Sequence, residues 1–277
     1  MNNFYSSKQK RIFNFNITFF LIVINLAIFL LFSLAKYFFP DLLKYLGLMP
    51  SLFLQGVYPW TLLTSMFMHG SFMHLFFNML SLFYVGNLVE KIVGKKRYLG
   101  IYIISGLLAN IFFVLCAGFL SVGIFRNIFG SADIIGVGAS GAIFGLIGVL
   151  AVLIPKKKIY LIIGPLLAIV VQSIIDSLLI NSFLSMIFGF LINLYFFICI
   201  FAMFSFNTKI RRIVIPLELQ FWFVPLVAII PLVLIGIFVE LPIGNSAHFG
   251  GLLIGIIYGL YLKRKYKNKT KNLVRYV

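Results

Sequence analysis

The residues from Gly136 to Gly145 place four glycines and one serine, Ser140, at the start of an apolar run that continues to Pro155. A serine between small residues at a helix start presents an uncovered hydroxyl and a backbone N–H that lacks an intrahelical acceptor. Acyl transfer needs a nucleophile and an oxyanion donor, and these two groups can fill those roles. Glycine-rich helix starts also serve close packing between helices, so both interpretations are open for this stretch.

Three polar side chains in other apolar runs add to this chemistry. Histidine is the side chain suited to take the serine proton, and His248 is the candidate base. His74 and Asn78 share one helix face and are candidate oxyanion donors beside the Ser140 N–H. A histidine or asparagine in an apolar helix also commonly bonds to a neighbouring helix, and His69 is interpreted as such a structural residue.

The composition indicates an all-α, polytopic membrane protein. Of the 277 residues, 62% are hydrophobic and 10% are charged, whereas soluble domains carry about 25% charged residues. The sequence predicts one membrane-embedded domain over 1–277, with a segment at 1–12, a helical bundle at 13–262 and a basic tail at 263–277. The predicted spans lie at about 13–34, 72–89, 99–119, 140–154, 159–180, 183–206, 219–239 and 247–262.

The basic residues are distributed unevenly around these spans. All but three of the 23 lysines and arginines fall on the side that holds both termini, the exceptions being Lys36, Lys44 and Arg126. Cytoplasmic loops carry the excess of basic residues, so both termini are predicted to be cytoplasmic. Few acidic residues and many Lys, Asn and Ile fit a prokaryotic plasma membrane. The net charge of +17 then reflects topology and attraction to anionic membrane lipids, and nucleic acid is not an expected partner.

The four candidate polar side chains lie at similar depths in the membrane. Each is counted from the charged edge of its span, at Glu90, Lys156 or Lys263. Helix rise then puts them roughly 18–24 Å into a hydrocarbon core of about 30 Å. Polar groups at that depth need partners or a water-filled cavity. We therefore expect the serine, the two histidines and the asparagine to face one another.

Small residues indicate which helices bring these groups together. Gly141 and Gly145 form a stripe in the fourth span, and Gly251, Gly255 and Gly259 form another in the last span. Such stripes let helix backbones touch. Packing the fourth span against the last would set the serine beside the histidine. The glycine-rich lead-in must then descend as irregular backbone, which is tolerated where it is buried in protein or lines a cavity.

Three stretches resemble the signature sequences of rhomboid intramembrane serine proteases, and their order and membrane sides also match. The stretches are His69-Gly-Ser-Phe-Met-His74-Leu-Phe-Phe-Asn78, Gly138-Ala-Ser140-Gly141 and Ala247-His248-Phe-Gly-Gly251. The resemblance implies cleavage of single-pass membrane proteins within or near their transmembrane helix, without a metal or organic cofactor. It implies that Ser140 is the nucleophile and His248 the base.

By the same resemblance, His74, Asn78 and the Ser140 N–H form the oxyanion hole. An aromatic residue four positions after the serine stacks on the catalytic histidine, and here it is Phe144, where many members have Tyr. Gly138, Gly141 and Gly251 are expected to support the site.

The chain departs from the family pattern in two further ways. The family core has six spans, and an extra helix pair at about 159–206 is expected to lie at the periphery. The long first connection reads Trp60-Thr61 where the family often carries Trp-Arg.

Two alternative functions are compatible with the polar layer. One is a non-catalytic rhomboid-like protein that binds transmembrane clients, although the presence of both Ser140 and His248 favours an enzyme. The other is a small-solute transporter with its binding site in this layer, although no internal repeat of broken helices supports it. For the enzyme, lateral substrate entry by movement of the 219–239 span is the expected route.

Overall fold

The computed structural model of the chain describes residues 16–123, 125–162, 164, 168, 171–172, 175, 183–203, 216–236 and 244–267. Contacts divide the chain into two compact units, one of Met1–Lys156 with Phe221–Val277 and one of Lys157–Gln220. The predicted extra helix pair therefore falls in the second unit. Three predicted features lie wholly or largely outside the described residues: the segment at 1–12, the span at 159–180 beyond 162, and the tail beyond 267.

Helices dominate the described residues, which confirms the predicted all-α architecture. In chain order the helices are α1 (Ile17–Ala35), α2 (Leu42–Leu46), α3 (Pro50–Leu54), α4 (Thr61–Thr64), α5 (Phe72–Ser81), α6 (Asn87–Val93), α7 (Lys95–Leu115), α8 (Phe125–Phe129), α9 (Ser140–Leu153), α10 (Phe183–Met203), α11 (Val224–Gly236) and α12 (Asn245–Lys265). A 3₁₀ turn covers Ser65–Phe67, and π-helical turns cover Leu82–Gly86 and Cys116–Leu120.

Four helical stretches of the described chain are long and apolar enough to cross a membrane. They are Ile17–Ala35, Phe72–Val93, Lys95–Leu120 and Asn245–Lys265, and they correspond to the first, second, third and last predicted spans. Helix α9 begins at Ser140, as predicted, but has only 14 residues. It is roughly 21 Å long, which is shorter than a hydrocarbon core of about 30 Å. Helix α9 alone is therefore too short to cross the core, and the loop before it must complete the fourth span.

Helix α9 is the buried centre of the first unit, with ten of its 14 residues buried. Helix α12 packs on one side of it through the predicted glycine contact. A Cβ atom at Gly251 or Gly255 would overlap the carbonyl oxygen of Gly141 or Gly145, respectively. On another side, a Cβ at Gly141 would lie 2.7 Å from the Cβ of Ala109 in α7. The α9 glycines thus admit two neighbouring helices, where the sequence indicated one.

Glu90 forms the junction between α1 and α6. The sequence suggested a charged edge for the second span, but this carboxylate is only 7% exposed. It accepts hydrogen bonds from the backbone N–H groups of Ile17 and Thr18, both at 3.0 Å, and from the Thr18 hydroxyl at 2.9 Å. A carboxylate at a helix start satisfies N–H groups that have no intrahelical acceptor and complements the helix dipole. Glu90 therefore anchors the first span to the second.

Two short strands in the second unit differ from the predicted helical pattern. Strands β1 (Lys158–Ile162) and β2 (Pro216–Gln220) pair antiparallel, with Lys158 opposite Gln220 and Ile162 opposite Pro216. Lys158 also forms an exposed ion pair with Glu218 at 2.9 Å, and an exposed pair of this kind contributes little to stability.

The strands correct the boundaries of two predicted spans. The span predicted at 159–180 begins as β1, and the span predicted at 219–239 begins as β2 and becomes helical only at Val224. Pro225 explains the later start, since proline fits the first turn of a helix, where no backbone N–H donor is needed.

We expect Glu90→Ala to destabilise the protein, because two backbone donors and a hydroxyl would lose a buried charged acceptor. Hydrogen bonds to charged groups contribute about 1.5–3 kcal/mol each, and we expect a loss of at least that size. Unfolding of the full chain by SDS titration in detergent measures it. Lys91→Ala, at the exposed neighbouring position, is the control. Equal stability of the two variants would contradict the anchoring role of Glu90.

Candidate active site

The structure brings Ser140 and His248 into direct contact. The Ser140 Oγ atom lies 2.8 Å from the His248 Nε2 atom, which is hydrogen-bond distance. Ser140 is the first residue of α9, and His248 lies in the first turn of α12. The close contact between the backbones of Gly251 and Gly141 lies within one helical turn of His248 and of Ser140. This contact therefore fixes the positions of the two residues relative to each other.

Phe144 holds the His248 ring from one side. The two rings stack with centroids 4.3 Å apart and an angle of 12° between their planes. Phe144 follows Ser140 by four residues, so both lie on the same face of α9. His248 is 9% exposed, whereas Ser140 is only half-buried. The imidazole is thus enclosed while the hydroxyl beside it remains accessible.

Gly138 allows His74 to reach the backbone that precedes Ser140. A Cβ at Gly138 would fall 2.8 Å from the His74 Nε2 atom and 3.8 Å from the Ser140 Oγ atom. The φ angle of Gly138 is +125°, in a region that L side chains rarely adopt. The close approach of His74 and the φ angle therefore each exclude a side chain at Gly138. Because this residue has no side chain, the His74 ring can lie close to Ser140.

Helix α5 holds both His74 and Asn78, but only the His74 side chain reaches Ser140. Ser71 caps the helix start by accepting a hydrogen bond from the His74 backbone N–H at 3.2 Å. The Asn78 side chain is buried, and its Nδ2 atom donates to the His74 carbonyl oxygen at 2.9 Å. In this arrangement the Asn78 amide is bonded within its own helix. The structure brings His74 to the serine, and Asn78 stands one turn behind it.

The loop before Ser140 is held by backbone hydrogen bonds from the long first connection. Leu48 and Gly136 exchange two such bonds, of 3.0 and 2.8 Å. The Gly138 N–H donates to the Ser65 carbonyl at 2.9 Å. Asn110 of α7 donates in turn to the Ser65 hydroxyl at 2.9 Å. The irregular lead-in is therefore half-buried around Gly136 and Gly138, and its backbone groups pair with the first connection.

His69 lies beside the site in the connection between the 3₁₀ turn and α5. It is 1% exposed, and its ring meets that of His74 edge to face at 5.1 Å. Burial, and to a lesser degree the charge of His74, lowers the pKa of His69 to about 4. His69 is therefore neutral at neutral pH and packs behind His74.

Sequence reasoning missed two side chains near the pair. Asn245 and Ser246 precede His248 in the first turn of α12, and both are buried. The Ser246 hydroxyl donates to the Phe129 carbonyl of α8 at 3.2 Å. Within the described part of the chain, the Asn245 Nδ2 and His248 Nδ1 atoms have no hydrogen-bond partner. Spacing alone gave no signal for either residue, because helix starts commonly carry Asn and Ser as caps.

Comparison with known proteins supplies independent information. A family model described as a rhomboid domain matches residues 57–202, slightly more than half of the chain. The match includes His74, Asn78 and Ser140 and ends before His248.

Three relatives illustrate the range of the similarity. The rhomboid protein YdcA of Bacillus subtilis (strain 168) is 39% identical over 90 residues, 32% of this chain and 39% of the relative. Rhomboid protease GluP of the same organism is 36% identical over 112 residues, 40% of this chain and 19% of the relative. Inactive RHOMBOID-like protein 8 of Arabidopsis thaliana is 34% identical over 98 residues, 35% of this chain and 24% of the relative. The chain spans two fifths or less of the length of these relatives.

We expect Gly255→Ala to destabilise the bundle, because its Cβ would overlap the backbone of Gly145. Overpacking of this kind typically costs about 1–3 kcal/mol in the free energy of unfolding. Gly100→Ala is the matched control, since a Cβ there has no heavy atom within 4 Å and alanine raises helix propensity by up to about 1 kcal/mol. SDS titration of both variants measures the difference. Equal stability would show that α9 and α12 do not touch at this position.

We expect His69 to make the stability of the protein depend on pH. The imidazole of the unfolded chain binds a proton below pH 6.5, whereas the buried ring does so only near its lowered pKa of about 4. Its contribution is therefore complete above pH 6.5 and is lost as the pH falls towards 4. Unfolding of wild type and His69→Gln across this range should show a shallower slope for the variant. Parallel curves would mean that His69 has the same pKa in both states.

Proposed function

Because this chain belongs to the rhomboid family, we propose that it is an intramembrane serine endopeptidase. Its proposed substrates are other membrane proteins, cleaved within or near a transmembrane helix. The 2.8 Å contact between Ser140 Oγ and His248 Nε2 at the start of a buried helix carries this proposal. One relative is named as inactive, so these side chains support activity more strongly than family membership does.

The first step is attack of Ser140 on the scissile carbonyl. His248 Nε2 takes the hydroxyl proton as the Ser140 Oγ atom bonds to the carbonyl carbon. Phe144, stacked at 4.3 Å, limits rotation of the imidazole and keeps Nε2 directed at the hydroxyl. Burial of the ring leaves little freedom for other orientations. The proposal therefore needs no rearrangement of this pair before the proton is transferred.

The oxyanion that forms needs donors beside the serine. The Ser140 N–H lies at the start of α9, where backbone donors lack intrahelical acceptors. The His74 ring reaches the same region past Gly138. Asn78 can contribute after its amide rotates away from the His74 carbonyl, to which it donates at 2.9 Å. Ser140 and His74 are therefore the primary donors in this proposal, and Asn78 becomes a donor only after substrate has bound.

The second half of the reaction reverses the proton transfers. His248 gives its proton to the leaving amine, which frees one half of the substrate and leaves the other as an ester on Ser140. A water molecule then attacks the ester, His248 again acting as base, and the serine is regenerated. Ser140 and His74 are both half-buried, so water and an unwound substrate strand can reach the same side of the pair.

The distribution of basic residues supports a proposal for the orientation of the chain in the membrane and for the side nearer to the site. We propose that both termini lie in the cytoplasm at a prokaryotic plasma membrane, because basic residues concentrate on that side of the predicted spans. Ser140 then lies nearer to the outer surface. Single-pass transmembrane proteins are the proposed substrates, because one helix can enter sideways and unwind into the site.

We expect Ser140→Ala and His248→Ala each to lower the cleavage rate of a model transmembrane substrate by about 10⁴-fold or more, as in other serine proteases. Purified full-length protein in detergent, with cleavage products separated by electrophoresis, provides the measurement. Ser121→Ala is the matched control, because this serine bonds to the Gly130 carbonyl in a loop outside the site.

A fluorophosphonate probe tests the nucleophile without any choice of substrate. It should label wild type and Ser121→Ala, and neither Ser140→Ala nor His248→Ala. Cleavage that survives in Ser140→Ala would exclude this serine. Wild type that is folded, unlabelled and inactive on several substrates would instead favour a non-catalytic binder of transmembrane clients, for which an inactive relative is a precedent.

A further inference from the structure

A groove runs between α7 and α12 at the end of the bundle where α7 begins and α12 ends. It measures about 290 Å³. Lys96 and Arg97 lie at its mouth, and its walls include Gly100, Ile104, Ile254 and Tyr258. From Arg97 to Ile104 it extends roughly 10 Å along α7. We name it the basic groove. Its mouth is cationic and its interior is apolar.

The basic groove exists because α7 has a glycine where a side chain would fill the space. A Cβ at Gly100 would have no heavy atom within 4 Å. The two helices are in contact farther along, where a Cβ at Gly250 would lie 2.6 Å from the Cβ of Phe112. Ile104 is 54% exposed at the groove wall. An apolar chain can therefore enter from the side that faces lipid.

Aromatic residues hold the cations at this end in fixed positions. Arg97 donates to the Tyr266 hydroxyl at 2.9 Å, and its guanidinium lies 5.2 Å from the centre of that ring. Lys265 donates to the Tyr261 hydroxyl at 2.7 Å and lies 5.9 Å from the Tyr266 ring. Two like charges thus converge on one phenol ring and repel each other. An anion bound beside Arg97 would relieve that repulsion.

The ligand that matches a cationic mouth and an apolar interior is an anionic phospholipid. The chain carries 23 basic and six acidic residues, so most of its positive charge must be balanced by anions from outside the protein. Arginine and lysine bind phosphate oxygens well, and basic pockets between membrane helices take anionic lipid headgroups. A free phosphate would use the mouth but would leave the apolar interior unfilled.

We propose that the basic groove binds one anionic phospholipid. The headgroup phosphate contacts Lys96 and Arg97, and one acyl chain lies over Gly100 against Ile104 and Ile254. This site is separate from the Ser140–His248 pair and does not depend on catalysis.

Native mass spectrometry of the full-length protein, released from neutral detergent, tests the site. The probes are phosphatidylglycerol and phosphatidylcholine with identical acyl chains. Wild type should retain one phosphatidylglycerol with at least tenfold higher affinity than phosphatidylcholine. Lys96→Gln with Arg97→Gln should lower phosphatidylglycerol affinity by about fivefold for each charge removed. Lys91→Gln with Lys156→Gln removes the same charge from exposed positions outside the groove and should leave the high-affinity lipid bound.

The Gly100→Leu variant distinguishes binding of the lipid in the basic groove from a general attraction of anionic lipids to the basic residues. It keeps every basic residue, fits open space and fills the apolar interior, so it should abolish retention of phosphatidylglycerol while the unfolding midpoint stays equal to or above that of wild type. Retention unchanged in Gly100→Leu would overturn the proposal in favour of diffuse attraction. Displacement of the lipid by millimolar inorganic phosphate would assign the mouth to a soluble anion instead. A protein dimer lost in Gly100→Leu would assign the groove to a second copy of the chain.

Discussion

Direct contact between the backbones of α9 and α12 is the constraint on which the site depends. The serine and the histidine come from different helices, and their side chains are short, so the helix axes must be close for Oγ and Nε2 to meet. Glycines at positions 251 and 255 leave room for the carbonyl oxygens of Gly141 and Gly145. Any side chain there would separate the helices, and a misplacement of about 1 Å can cost a hundredfold in rate.

The same contact explains why the chain before Ser140 is irregular. Helix α9 must begin where α12 presents His248, in the first turn of that long helix. The chain therefore enters the bundle as loop, and its backbone groups need partners because lipid supplies none. Leu48 and Ser65 supply them through bonds to Gly136 and Gly138. The long first connection is thus a structural support for the backbone that precedes Ser140.

The helical part of this arrangement could be predicted because helix rise and periodicity are fixed. Counting residues from the charged edges was enough to bring Ser140 and His248 to one depth, and the spacing of small residues indicated which helices touch. The pairing of β1 with β2 could not be predicted in this way, since it joins segments far apart in sequence and its apolar residues resemble those of a span. The burial of Glu90 was missed for a similar reason. A carboxylate at the end of an apolar run is usually solvated, and only the position of α1 makes it a helix cap.

In the proposed mechanism, the electrostatics of the site restrict how its two histidines carry positive charge. Two protonated imidazole rings repel each other, and His248 and His74 both lie close to Ser140. When His248 takes the serine proton, a neutral His74 is therefore favoured, and a neutral imidazole still offers one N–H as a donor. The positive charge on His248 then lies beside the negative oxyanion, and the pair is neutral overall in a poorly solvated site. Phe144 fixes the ring plane without adding charge, so the oxyanion itself is the counter-ion that a carboxylate supplies in a triad.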